Sequence, residues 1–177
     1  MKKRYMWLII SAALVLTVVV GSTLAYLIAS SEPVINTFTV GNVQITLTET
    51  TGNDYKLTPG VSLQKDPTVT VKAGSEVCWV FVKITPSTDF DNLCIYSMAD
   101  GWTALEGESG VYYQRIEKAS VNTRLAVLKD NTVTIRDTVT EEQLNAITAK
   151  PTLTVYAYAI QADGLANAKI AWQALNS

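Results

Sequence analysis

The sequence predicts an all-β fold, a jelly-roll-like β-sandwich with two short helices, preceded by an N-terminal signal helix. Three observations carry that prediction. Short runs of β-branched and aromatic residues recur from Val34 to Ile160, separated by Gly, Pro, Asn and Asp. One of them, Val77 to Ile84, is apolar on both faces, as a strand covered from two sides must be. Helical spacing of apolar residues appears in the mature chain only twice, near the C-terminal end.

The chain opens with Lys2, Lys3 and Arg4, then an almost unbroken apolar run from Leu8 to Val20. Small residues at Thr23 and Ala25 follow, the pattern a signal peptidase groove accepts, with Tyr26 as the first mature residue. Residues 1–25 are therefore a signal peptide. The alternative is an uncleaved anchor, since about 20 apolar residues span a bilayer; its basic end would stay cytoplasmic and the domain would still lie outside. Membrane attachment is expected only through this segment, if it is uncleaved.

Residues 26–38 form an N-terminal arm. Ser30-Ser31-Glu32-Pro33 is polar and irregular, and Val34, Ile35, Asn36, Thr37 and Phe38 then supply a candidate assembly strand; the alternative is an ordinary first strand paired in its own sheet. Pro33 cannot donate a ladder hydrogen bond and suits a strand start.

The sandwich domain covers residues 39–177. Val43 to Thr48 alternates apolar and polar residues, the mark of a half-buried strand. Pro59-Gly60 makes a turn before Thr68 to Val71, and Ala73-Gly74 leads into the doubly apolar run. Shorter strands are expected at Leu93 to Met98, Trp102 to Leu105 and Val111 to Ile116, with turns at Asp100-Gly101 and Glu106 to Gly110. Lys129-Asp130-Asn131 reads as a hairpin turn between Ala126-Val127-Leu128 and Thr132 to Ile135. Thr152 to Ile160 is the last strand. Thr140 and Gln143 fit a capping box for one helix. Leu165, Ala168, Ala171, Trp172 and Leu175 give a second helix an apolar stripe expected to pack on the sandwich.

Composition narrows function. The 177 residues include no histidine, which removes the usual general base and the commonest zinc ligand. Taking Lys2, Lys3 and Arg4 from 14 basic residues leaves 11 against 16 acidic, a mature net charge of −5. With no basic cluster outside the signal, no nucleic-acid partner is expected. Cys78 and Cys94 leave the reducing cytosol, so a disulfide is chemically permitted; Cys78 equally suits a free thiol packed as a small hydrophobe.

No catalytic set, metal site or cofactor signature emerges. Asp89, Asp91 and Asn92 lack calcium-loop spacing and read as a solvated loop. Glu106 and Glu108 read as a charged turn, and Glu141 and Glu142 as the favourable first turn of a helix. No Gly-x-Ser-x-Gly elbow exists. Trp79, Trp102, Trp172, Tyr112, Tyr113, Tyr156 and Tyr158 could form a sugar platform, but their spacing favours packing.

Three stretches carry a resemblance. Gly21-Ser22-Thr23-Leu24-Ala25-Tyr26-Leu27, with Asn36-Thr37-Phe38-Thr39-Val40-Gly41-Asn42-Val43, looks like the start of proteins exported through the dedicated signal peptidase SipW. Lys65 to Glu76 looks like their next block, and Thr154 to Ala162 with Ala171-Trp172 like their last. The chain resembles the TasA/camelysin family of surface and biofilm-matrix proteins of Gram-positive bacteria. The resemblance implies a jelly roll that assembles into extracellular fibres, each subunit receiving the N-terminal strand of a neighbour. The corresponding stretch here is about Tyr26 to Phe38. It also implies a SipW-type signal peptidase as processing partner. The peptidase label of camelysin-like members does not carry over, for want of histidine and any HExxH pattern. The expectation is a non-enzymatic, secreted, self-associating structural protein; the alternative is a monomeric surface adhesion or binding module.

Overall fold

The computed structural model describes residues 37–40, 42–51, 57–147 and 149–177. The expected signal segment, residues 1–25, lies outside them; among the described residues no helix is long and apolar enough to cross a membrane. All belong to one compact unit, Pro33–Ser177.

The chain folds mainly into β-strands in largely antiparallel sheets, with three short helices. The first sheet contains β1 (Thr37–Val40), β5 (Cys78–Pro86), β7 (Thr103–Ala104), β8 (Val111–Ile116) and β11 (Leu153–Gln161), in the order β1-β11-β5-β8-β7. Two three-stranded sheets complete the set. One orders β2 (Ile45–Thr48), β4 (Thr68–Val71) and β9 (Thr123–Ala126). The other orders β3 (Ser62–Gln64), β10 (Thr132–Ile135) and β6 (Cys94–Ile95).

The two small sheets are halves of one layer. β3 runs opposite β10 and β4 opposite β9 along the same pair of chain segments. Lys65 N donates to Asn131 O at 2.7 Å, one step past the Gln64–Thr132 pair, and pairing resumes at Thr68 opposite Ala126. Between these points Asp66 and Pro67 face the four residues Val127 to Asp130, so one side carries two extra residues. The excess is a bulge, taken up by a 3-10 turn at Lys129–Asn131, where Asp130 and Asn131 adopt φ of 53° and 52°. The expected hairpin is thus corrected. Asp and Asn do tolerate this left-handed backbone, but the turn joins β9 and β10 in successive parts of one rail instead of folding them together.

The core follows from strand parity. Val80, Val82 and Ile84 of β5 and Ala157 and Ala159 of β11 face inward. They meet Ile45 and Leu47 of β2, Val69 and Val71 of β4, and Val133 and Ile135 of β10. Each valine, leucine or isoleucine among them contributes about 1.5–3 kcal/mol on burial. The opposite face of the five-stranded sheet carries Phe81, Val111 and Ile160, covered by Ala168, Ala171 and Trp172 of α3 (Ala168–Leu175). Both sides of β5 are therefore covered, as its composition requires.

Helix ends follow local chemistry. α2 (Glu141–Asn145) starts with the full capping box: Gln143 N donates to Thr140 Oγ1 at 3.2 Å and Thr140 N to Gln143 Oε1 at 2.9 Å. α3 starts later than its apolar stripe, because Asn167 caps it by accepting from Ile170 N at 3.0 Å. An unexpected helix, α1 (Thr88–Leu93), occupies the supposed Asp89–Asn92 loop. Ser87 caps it, accepting from Phe90 N at 3.2 Å, and Phe90 and Leu93 bury its short stripe. Only Cys94 and Ile95 of the expected Leu93–Met98 strand pair in a ladder, with Met98 bridging Leu128 alone.

Candidate assembly edge

β1 differs from every other strand. It lies at an edge, has four residues, and pairs parallel with β11, Thr37 opposite Ala157 through Val40 opposite Ile160. All other described pairings are antiparallel. β1 spans only part of the nine-residue β11. The expected boundary between arm and domain, at Phe38/Thr39, falls inside β1: Thr37 and Phe38 pair within their own chain. Val34, Ile35 and Asn36 of the candidate assembly strand, and Thr23, Ala25 and Tyr26 of the cleavage site, lie outside the described residues.

The exit from β1 is pinned. The chain passes from the edge of the first sheet to β2 in the other layer, so it needs backbone anchors where no ladder can form. Asn42 N donates to Gln161 Oε1 at 3.2 Å, and Asn42 O accepts from Glu76 N at 3.2 Å. Gln44 N donates to Ser75 Oγ at 3.1 Å, and Gln44 O accepts from Lys72 N at 2.8 Å. Ser75 is buried. Sequence reasoning missed Ser75 and Gln161; a serine just before a core strand was the available signal, and its partner is distant in sequence.

Other sequence candidates do not converge. Asp89 and Asp91 lie in the first turn of α1, Glu141 and Glu142 in that of α2, and Glu106 and Glu108 in an exposed turn. Among the described residues no three acidic or cysteine side chains are grouped to hold a metal ion. Five of the aromatic residues pack on one another at the face under α3: Trp79 stands edge-on to Tyr113 at 5.9 Å, Phe81 lies 5.2 Å from Trp172, and Tyr158 stands edge-on to Trp172 at 5.4 Å, while Trp102 and Tyr112 pack against the core on the opposite face. Trp79 Nε1 donates to Leu165 O at 3.4 Å and Trp102 Nε1 to Ala126 O at 2.8 Å.

Cys78 and Cys94 are both free and buried, so the candidate disulfide is absent here. Cys78 sits on β5 of the first sheet, and Cys94 pairs with Ile135 in the opposite layer. Burial pushes the Cys78 thiol up to about 11. Burial also raises Cys94, against the opposing pull of Arg136. Neutral thiols are poor nucleophiles.

Asp66 closes the loop after β2. Its carboxylate accepts from Thr50 N at 2.8 Å, from Thr51 N at 3.1 Å and from Thr50 Oγ1. Burial alone would raise its pKa; these hydrogen bonds outweigh burial and hold the carboxyl below its ordinary range.

No known family profile, no curated protein and no solved structure matches this chain.

Proposed function

We propose that this chain is an exported structural subunit that self-assembles into extracellular fibres of a biofilm matrix or cell-surface layer, in the manner of the TasA/camelysin proteins it resembles. The observation that carries the reading is β1: a short, parallel, one-sided edge strand whose first two residues, Thr37 and Phe38, are the end of the arm. An edge of this kind takes up a strand from another chain at little cost to the fold, by backbone pairing alone. The residue blocks at Gly21–Leu27 with Asn36–Val43, Lys65–Glu76 and Thr154–Ala162 support it from the sequence side.

The jelly-roll form of the sandwich belongs to the same reading. Its support is the interleaving of strands: β11, β5 and β8 are neighbours in one layer, and β4/β3, β9/β10 and β6 in the other. From β4 through β5 to β6, and again from β8 through β9/β10 to β11, the chain changes layer at each step, a pattern that suits the Greek keys of a jelly roll. A SipW-type peptidase would release the subunit after Ala25.

The test is electron microscopy of purified protein beginning at Tyr26 beside a variant beginning at Gly41. The first forms fibres; the second keeps its β-sheet circular dichroism and forms none. A soluble monomer from the Tyr26 form at every concentration would instead favour a monomeric adhesion module. Fibres from the Gly41 form would move assembly to another surface.

A further inference from the structure

The chain contains one Asp–Pro pair, Asp66-Pro67, and the fold sets it at the bulge between β3 and β4. Such a pair has a reactivity of its own. The carboxyl can close a small ring on its own main-chain carbonyl carbon, an attack within one residue that needs no encounter. The proline nitrogen belongs to a tertiary amide without an N–H, and it leaves as an amine once it is protonated.

Two sets of hydrogen bonds converge on Asp66. Thr68 Oγ1 donates to the Asp66 main-chain carbonyl oxygen at 3.0 Å, and Thr68 is itself buried. The carboxylate accepts from Thr50 N at 2.8 Å and Thr51 N at 3.1 Å through Oδ1, and from Thr50 Oγ1 through Oδ2. The first contact polarises the carbonyl of the Asp66–Pro67 bond. The others occupy both oxygens of the group that would attack it. We propose that Asp66–Pro67 is a self-cleavage site, with the Asp66 carboxyl as nucleophile, Thr68 as oxyanion donor and the Thr50–Thr51 loop as the restraint.

In the reaction an Asp66 Oδ attacks the Asp66 main-chain carbonyl carbon, and the oxygen that gains charge keeps its bond from the Thr68 hydroxyl. The carboxyl proton passes to Pro67 N. The C–N bond breaks, Pro67 leaves as an amine, and Asp66 remains as a cyclic anhydride. One water opens that anhydride to two carboxyl groups, so the sum is hydrolysis of one peptide bond.

The carboxyl must therefore be both released and protonated. Burial would raise its pKa, but the Thr50 and Thr51 hydrogen bonds outweigh burial and lower it, so near neutrality it has no proton to give. The charged neighbours are Glu49 and Lys65, which pair with each other, and Lys129 and Asp130 across the bulge, both exposed. Acid, or loss of the Thr50 and Thr51 contacts, lifts the restraint. The cut divides β3 from β4 while β3 keeps its ladder with β10, and β4 its ladders with β2 and β9. It does not depend on polymerisation.

The test is mass spectrometry of the full exported chain, held at the lowest pH at which circular dichroism shows its sheet intact. Folded Thr50→Val is expected to give two fragments, one ending at Asp66 and one beginning at Pro67. It should do so about a hundredfold faster than the same variant unfolded in urea, which lacks the Thr68 contact. Folded wild type should give the same fragments more slowly, and Asp66→Asn should stay intact. Adding Thr68→Val to Thr50→Val should remove the advantage of the folded chain, whereas Thr68→Ser, which keeps the hydroxyl, should retain it. Folded Thr50→Val cleaving no faster than its unfolded form overturns the site, as do the same fragments from Asp66→Asn. An undiminished rate with Thr68→Val overturns the role of Thr68, and equal rates in folded wild type and Thr50→Val overturn the restraint.

Discussion

β5 and β1 belong to the same sheet and are held in opposite ways. β5 has nine residues, a strand on each side, a valine core beneath it and α3 above it. β1 has four residues, one partner and a parallel ladder, the pairing that is slightly weaker per residue. The difference teaches where this fold is fixed and where it can exchange. A strand whose side chains are buried on both faces cannot leave without dissolving the domain; a short edge strand can. Four substitutions test what fixes the domain around β5 and beyond it, from the largest expected effect to the smallest.

Val80→Asp places a carboxylate at a fully buried position of β5. An unpaired charge there costs several kcal/mol, comparable to the ~5–15 kcal/mol that holds a domain together. The variant should be unfolded at room temperature by circular dichroism; a melting temperature near wild type would contradict the central position of β5.

Trp172→Ala removes the ring that covers Phe81 and Tyr158 from above. A loss of about 3–5 kcal/mol is expected from denaturant melts. A loss below about 1 kcal/mol would mean that the outer face contributes little and that β5 is secured from one side only.

Gly110→Ala acts through the strand beside β5. Gly110 has φ +72°, and a Cβ there would come within 2.4 Å of Ile84 O. The backbone must shift, and Ile84 N loses its 2.8 Å bond to Gly110 O. Strain of about 1–3 kcal/mol should appear as a lower denaturant midpoint.

Asp66→Asn tests the loop by pH. The folded carboxyl lies below its ordinary value of 3.8, so the unfolded chain binds the proton more tightly. Its contribution is whole above the unfolded pKa and is lost as pH falls through the folded one. Melting temperatures of wild type and variant should therefore differ at pH 7 and converge in acid. A difference that is constant with pH would remove Asp66 as its source.

Much of this organisation was legible. The doubly apolar Val77–Ile84 run identified the central strand, and the Leu165–Leu175 stripe identified the covering helix, because both signals lie within one segment. The Thr140–Gln143 capping box was equally local. What could not be read was pairing at a distance. Asp130 and Asn131 announced a turn, but whether that turn closes a hairpin depends on β3 and β4, some sixty residues away by the β-ladder register. α1 was missed because six residues, fewer than two helical turns, are too few for a period to show; Ser87 was its only sign. The parallel seat of β1 on β11 joins the two ends of the domain, and no spacing within either strand encodes it. For the candidate edge, the sequence marked Val34 to Phe38, of which Thr37 and Phe38 pair with Ala157 and Tyr158 of their own chain.

The central claim is that subunits are joined through the segment ending in β1. Mixing experiments test it most directly: fibres growing from protein that begins at Tyr26 are given a trace of labelled protein that begins at Gly41. Lacking the arm but keeping the receiving surface, the shortened subunit should add once at a fibre end and halt growth there, so fibre length falls as its share rises. Labelled subunits spread along fibres of undiminished length would show that growth proceeds without the arm, and the account would fail.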